Sequence, residues 1–273
     1  MNFVEKLTRA ARKNGSLLCV GLDPDPKLMP DRVGVFEFNR AIIETTHDLV
    51  CAYKPNLAFY EALGNEGLDA LKRTVNYIPK DIPVIADAKR GDIGNTAKAY
   101  ARALFEYFGF DATTVNPYLG FDSIEPFIEY HDKGVLILCR TSNAGAVDFQ
   151  SLRCEIENDH RPLFEVVALK AGQWNKSGNI GLVVGATYPE ELRLIRQIQP
   201  DMPLLIPGIG AQGGDLALAV RYGVDVRGEK AIINSSRQII YASREKDFAR
   251  SARQAALTLR DQINQHLSSL RVY

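Results

Sequence analysis

The sequence predicts an α/β fold, a closed (β/α)8 TIM barrel, and three observations carry that expectation. Short apolar runs recur eight times along the chain. Between them lie longer stretches with helical periodicity, and strict alternation of the two implies a parallel sheet with helical crossovers. The chain has 273 residues, close to the roughly 250 typical of eight such units. An open doubly wound sheet is the alternative architecture, because periodicity does not report closure. No linker, repeat or low-complexity tract divides the chain, so residues 1–273 are expected to form one barrel domain.

The N-terminal segment MNFVEKLTRAARKNG has the spacing of an amphipathic helix. The strands are then expected at LLCVGLD (17–23), AYKPNLA (52–58), PVIADAK (83–89), ATTVNPY (112–118), VLILCRTS (135–142), IGLVVGAT (180–187), PLLIPGIG (203–210) and KAIINSS (230–236). Amphipathic stretches such as FEFNRAIIETTHDLV, EGLDALKRTVNYIPK, NTAKAYARALFEYFG and YPEELRLIRQIQ fill the gaps, and a long helix from SREKDF onward closes the chain. Gly109, Gly134, Pro203 and Gly223 mark boundaries between elements. One connection is unusually long: residues 143–161 separate strand five from its helix. It follows the C-terminal end of a strand, the side on which barrel active sites lie, so a lid is expected there.

Composition excludes several classes. Lys+Arg and Asp+Glu number 33 each, giving zero net charge, and 46% of residues are hydrophobic. That balance gives no general affinity for nucleic acid or for an anionic membrane. No apolar run approaches the roughly 18–20 residues of a membrane span. The N-terminal segment lacks the apolar core and cleavage site of a secretory signal, which favours a cytoplasmic location. Cys19, Cys51, Cys139 and Cys154 form no CxxC pair, and His47, His131, His160 and His266 are scattered. Neither a zinc site nor a Ser-His-Asp triad is expected from these spacings.

The informative polar residues fall at strand ends. Asp23 ends strand one, Lys54 lies in strand two, Asp87 and Lys89 end strand three, Asn116 lies in strand four and Ser142 ends strand five. In a barrel, different strands thus deliver groups to one mouth. Simpler readings exist for some of them. Asp23 precedes Pro24 and would equally shape a turn, Lys54 also precedes a proline, and Asn116 and Ser142 are ready partners for nearby main chain. Asp87 and Lys89 are different. Alternation puts both on one side of a strand that begins Val84-Ile85-Ala86. A buried ion pair often adds no net stability over apolar replacements, so a strand that keeps both charges points to chemistry.

A phosphate site is expected beside them. Gly208, Gly210 and Gly213 in PGIGAQGGD satisfy G-x-G-x-x-G after a strand and before a helix. A dinucleotide fingerprint normally opens a fold, whereas this one follows six β/α units. The loops after strands seven and eight of a barrel commonly hold phosphate instead. Strand eight ends in Asn234-Ser235-Ser236-Arg237, and an arginine there grips phosphate with paired hydrogen bonds.

Taken together, these segments resemble the orotidine 5′-phosphate decarboxylase family, in its longer bacterial (type 2) form. The resemblance spans nearly the whole barrel. Its most specific element is D-x-K-x-x-D, here Asp87-Ala88-Lys89-Arg90-Gly91-Asp92, followed by Ile93 and Thr96. Lys54, the GLD turn at 21–23, PGIGAQGGD and SSR support it. The resemblance implies decarboxylation of orotidine 5′-monophosphate to UMP, the last step of de novo UMP synthesis, without metal or organic cofactor. It implies a homodimer with shared sites. Lys54, Asp87, Lys89 and Asp92 would form an alternating charged network, with Asp92 and Thr96 supplied by the other subunit. Asp23 would hold a ribose hydroxyl, Ser142 would contact the pyrimidine, and Gln212 and Arg237 would hold the phosphate with the glycine loop at Gly210. One departure is visible: many relatives carry proline after TSN, where this chain has Ala144.

This chemistry accounts for the charges on strand three. Loss of CO2 from carbon 6 leaves an sp² carbanion with no π system placed to accept the charge. An ammonium nearby stabilises it and then donates a proton, the role expected of Lys89, while Asp87 lies near the departing carboxylate. Two rivals remain at this level. A metal-dependent sugar-phosphate lyase or aldolase on a related barrel shares D-x-K-x-x-D but usually has an acidic metal ligand on strand two rather than Lys54. A non-catalytic phosphometabolite sensor would keep Arg237 and the glycines without needing the Lys-Asp array.

Overall fold

The structure is a computed structural model that describes residues 1–156, 159–209 and 213–270. Eight barrel strands run β1 Leu18–Leu22, β2 Ala52–Pro55, β3 Ile85–Arg90, β4 Ala112–Val115, β5 Gly134–Arg140, β6 Ile180–Val184, β7 Leu204–Ile206 and β8 Ala231–Ser235. They form one parallel sheet in the order β2-β1-β8-β7-β6-β5-β4-β3. Parallel bridges Tyr53↔Val84 and Asn56↔Asp87 bring the two outer strands together. The sheet is therefore a nearly closed barrel, as the alternation predicts, and not an open doubly wound sheet.

Several strands stop earlier than their apolar runs, and at two of them, β2 and β4, an Asn side chain ends the strand. β2 ends at Pro55 because Asn56 turns the chain into a short helix, Leu57–Glu61, its Oδ1 accepting from Ala58 N at 3.2 Å. β4 ends at Val115 because Asn116 Oδ1 accepts from Tyr118 N at 3.0 Å and starts a 3-10 turn, Pro117–Leu119. In both cases an Asn side chain supplies the acceptor that an orphan amide of the following turn needs. The 143–161 connection is more structured than a simple loop. It holds a 3-10 turn, Ala144–Asp148, and an antiparallel pair, Arg153–Ile156 with Asp159–Pro162, before the helix Leu163–Trp174.

Side-chain alternation divides the core in two. Leu18, Val20 and Leu22 face outward with Phe38, Ile42 and Leu71 of the surrounding helices. Cys19, Ala52, Ile85, Ala112, Leu136, Val183, Leu205 and Ile232 face inward and fill the barrel floor. The N-terminal helix, Phe3–Asn14, plugs that floor with Phe3 and Leu7. Its first turn is fixed by a capping box between Asn2 and Glu5. Gly134 makes room for it: a Cβ there would lie 2.3 Å from the Phe3 ring. With this end sealed, the open mouth is the C-terminal one. Among the described residues no helix is long and apolar enough to cross a membrane.

Candidate active site

Above the floor the barrel lining changes from apolar to charged. Cys19 pairs in register with Ala52, and two residues on Gly21 pairs with Lys54. Lys54 is only 4% exposed, yet it carries an ammonium. Its Nζ donates to Asp87 Oδ2 at 3.0 Å, across the β2–β3 junction. Lys89 Nζ donates to the other oxygen, Oδ1, at 2.6 Å, and Thr114 Oγ1 donates to that same oxygen at 3.1 Å. The array is thus ammonium–carboxylate–ammonium, with one lysine buried and the other, at 49% exposure, reaching into the mouth.

The electrostatics follow from burial working against proximity. Desolvation is the largest influence on Asp87 and would raise its pKa. The charges of Lys54 and Lys89, with their hydrogen bonds, overcome it and hold the carboxyl well below the usual range. Desolvation likewise opposes the Lys54 charge, but Asp87 and Asp23 outweigh it and raise the lysine above its ordinary value. Both groups are therefore ionised. Directly beneath, burial pushes the Cys19 thiol up to about 12, so it stays a neutral part of the floor.

Asp87 and Lys89 do meet, but not by plain strand alternation. Lys89 has φ 47°, a left-handed backbone that a side chain with Cβ seldom adopts. The β3–β4 register shifts between Ala86 and Arg90. The kink is stabilised where Lys89 N donates to Thr114 Oγ1 at 2.9 Å. Strain of this kind persists where surrounding structure over-determines it, and it concentrates at functional sites. Thr114 is thus a member of the site that the strand reading did not single out. Its signal was present: Thr114 shares a face with Ala112 and Asn116 in the predicted strand.

Six of the sequence-predicted residues converge. Asp23, Lys54, Asp87, Lys89, Ser142 and Arg237 line one cavity of about 540 Å³ at the barrel mouth. Asp23 is carried by the turn after β1, which Tyr241 secures: its hydroxyl donates to Asp23 O at 2.9 Å and accepts from Asp25 N at 2.6 Å. Asp23 Oδ1, Asn234 Oδ1 and Ser235 Oγ are buried without a hydrogen-bond partner among the described residues. All three residues belong to the cavity wall. Arg237 starts the short helix Arg237–Ile240 after β8, and among the described residues it has no acidic partner. Gly208 stands in the wall, while Gly210 and Gln212 lie outside the described residues.

Asp92 and Thr96 are not brought to this wall. Asp92 Oδ1 accepts from Ile93 N at 2.8 Å, and Thr96 is exposed on the helix Gly94–Arg102. Asn116 also stays outside, occupied as a cap. Among the described residues no group of three or more His, Cys, Asp or Glu is placed to hold a metal ion.

A closed parallel barrel with a charged, cavity-forming mouth at its strand C-termini is a (β/α)8-barrel enzyme. The chain belongs to the Orotidine 5'-phosphate decarboxylase / HUMPS family, whose pattern matches residues 16–252. It is 58% identical over 266 residues to an orotidine 5'-phosphate decarboxylase of Dehalococcoides mccartyi, covering 97% of this chain and 98% of that one. An orotidine 5'-phosphate decarboxylase of Ralstonia pickettii is 53% identical over 274 residues, covering 97% and 99%. Among solved structures, Leishmania donovani OMP decarboxylase superposes with a TM-score of 0.85 at 41% identity, covering 98% of this chain and 99% of that one. Leishmania donovani UMP synthase superposes with a TM-score of 0.87 at 43% identity. That match covers 98% of this chain but 57% of the synthase.

Proposed function

We propose that this chain converts orotidine 5′-monophosphate to UMP and CO2, the closing step of de novo UMP synthesis, by electrostatic stabilisation of a carbanion at carbon 6. One observation carries the mechanism: Asp87 sits between Lys54 and Lys89 at hydrogen-bond distance from both. The bond between carbon 6 and the carboxylate carbon breaks heterolytically, its electron pair staying on carbon 6 as CO2 leaves. Lys89 stabilises that pair and transfers a proton from Nζ to carbon 6; solvent then reprotonates the amine. Asp87 lies near the departing carboxylate and orients both lysines. The lining is preorganised, so little reorganisation accompanies the charge movement. Two unit charges ~4 Å apart interact by about 1 kcal/mol in water and about 4 kcal/mol at an effective dielectric near 20, so excluding water strengthens the array severalfold.

In this reading Asp23 holds a ribose hydroxyl, Ser142 contacts the pyrimidine, and Arg237, Gln212 and the glycine loop at Gly210 hold the phosphate. Phosphate contacts far from carbon 6 then contribute binding energy to turnover. Asp92 and Thr96 serve the partner subunit's site in a homodimer. The apolar residues exposed on the loops after β3, β4 and β5, namely Ile93, Tyr118, Leu119 and Phe149, support a protein contact on this face. A cytoplasmic location belongs to the same reading. Lys54 stands where a metal-dependent sugar-phosphate lyase would carry an acidic ligand, which favours the decarboxylase over that rival. The test is incubation of chelator-treated protein with orotidine 5′-monophosphate, following CO2 release and the ultraviolet change. Turnover without added metal is expected; a strict requirement for a divalent cation, or binding without turnover, would overturn the proposal.

A further inference from the structure

One buried charge near the site lies outside this mechanism. Arg140, the last residue of β5, is 1% exposed and is not part of the cavity wall. Burying a guanidinium is expensive unless its donors are used. Arg140 donates to Glu191 from Nε, and from Nη2 to Oε1 at 3.5 Å. Its guanidinium carbon stands 3.9 Å over the Tyr188 ring. These contacts come from the start of the helix Pro189–Ile198 and the residue before it, and they fix Arg140 on one side. On the other side Nη1 donates to Gln150 Oε1 at 3.4 Å.

Gln150 lies ten residues further on, yet it folds back onto the exit of β5. Its Oε1 also accepts from Thr141 N at 2.8 Å, and its Nε2 donates to Thr141 Oγ1 at 2.9 Å. Thr141 Oγ1 in turn donates to Asn143 Oδ1 at 2.7 Å. The Gln150 main chain is equally engaged, its N–H donating to Ala146 O at 2.9 Å and its carbonyl accepting from Phe164 N at 3.0 Å. Ser142 sits between the two clamped residues. Its main chain packs against Gly185, where a Cβ would lie 2.9 Å from Ser142 N, and Gly185 N donates to Arg140 O at 2.7 Å. The β5–β6 register shifts here, between Leu138 and Arg140, so regular pairing does not hold this turn.

We propose that Arg140 and Gln150 are positioning residues for the reaction: a clamp anchored on Glu191 that fixes the exit of β5 and so holds Ser142 at the cavity wall. It stiffens the entry to the 3-10 turn Ala144–Asp148. The inference rests on the reading above in that Ser142 meets the substrate.

Two measurements test it. Gln150→Ala should speed amide hydrogen exchange in the 141–150 segment while the rest of the barrel keeps its protection. Arg140→Lys, which keeps a cation beside Glu191 but loses the guanidinium fork, should do the same. Unchanged exchange in both variants overturns the clamp. For turnover, each variant should lose roughly 10- to 100-fold in kcat/KM, the scale of a displacement near 1 Å. In a Ser142→Ala background the additional loss from Gln150→Ala should shrink to within about twofold, because both changes remove one contact. Fully multiplicative losses would mean that Gln150 acts other than through Ser142. If wild-type protein does not decarboxylate the nucleotide, the functional reading falls, and exchange still decides the clamp.

Discussion

Asp87 accepts from two ammonium groups at once, Lys54 Nζ at 3.0 Å and Lys89 Nζ at 2.6 Å. The two lysines are not equivalent. Lys54 is buried against the barrel wall, and Lys89 reaches into the mouth from a left-handed backbone. Lys89→Ala is therefore expected to leave the fold intact and to lower kcat by at least about a thousandfold, since proton donation and charge stabilisation are lost together. Steady-state turnover with circular dichroism checks this, and near-wild-type turnover would remove Lys89 as the donor. Asp87 makes a prediction about pH. Its folded pKa lies below the ordinary 3.8, so its contribution to stability is complete above 3.8 and is lost as pH falls through the folded value. The folded pKa of Lys54 lies above the ordinary 10.5, so its contribution is complete below 10.5 and is lost as pH rises through the folded value. The stability advantage of wild type over Asp87→Asn should thus be flat from roughly pH 5 to 9 and shrink in stronger acid. Urea melts across that range measure it, and an advantage that grew on acidification would contradict the charge assignment.

Among the elements, the N-terminal helix and the segment after β5 do opposite jobs. The helix seals the floor, with Phe3 and Leu7 packed against inward-facing residues of the strands. None of its own residues lines the mouth cavity, although Val183 and Leu205 of the same floor cluster do. Phe3→Ala should therefore cost about 3–5 kcal/mol of stability, as a large buried side chain does, and leave KM unchanged. A denaturation midpoint measured beside a KM separates the two effects, and a shifted KM would show that the floor reaches the site. The segment after β5 contributes Ser142 and Gln150 to the cavity through a turn held by Thr141, Arg140 and Gly185. Its antiparallel pair left little trace in the sequence because its side chains are exposed or only half-buried. With no buried face, there is no strong hydrophobic alternation to read.

For the whole molecule, the cavity formed by one chain holds Asp87 and Lys89 but neither Asp92 nor Thr96. The D-x-K-x-x-D run is thereby split: its first two members line the cavity and its third does not, its carboxylate accepting instead from the N–H of exposed Ile93. If Asp92 completes the site of a second copy, mixing Asp92→Ala subunits with Lys89→Ala subunits should recover activity that neither has alone. About a quarter of wild-type turnover is the expected order when half the dimers are mixed and each has one intact site, provided that Asp92 acts only across the interface. Verified mixed dimers with no recovery would rule out sharing.

The sequence by itself determined eight alternating β/α units, the number a barrel needs, because apolar runs separated by amphipathic helices imply a parallel sheet with helical crossovers. Closure over an open sheet was decided by the tertiary pairing of β2 with β3. The sequence also located Asp23, Lys54, Asp87, Lys89, Ser142 and Arg237 at strand ends, since polar groups in apolar strands stand out against their surroundings. Other features were decided only by the tertiary structure. The left-handed Lys89 backbone, the Thr114 hydroxyl that supports it, the Tyr241 hydroxyl under the Asp23 turn and the Arg140–Gln150 clamp all depend on groups distant in sequence. Local periodicity records which face of an element is buried. It does not record which remote donor meets which acceptor, and those meetings, fixed only when the barrel closes, aim the charges at one point.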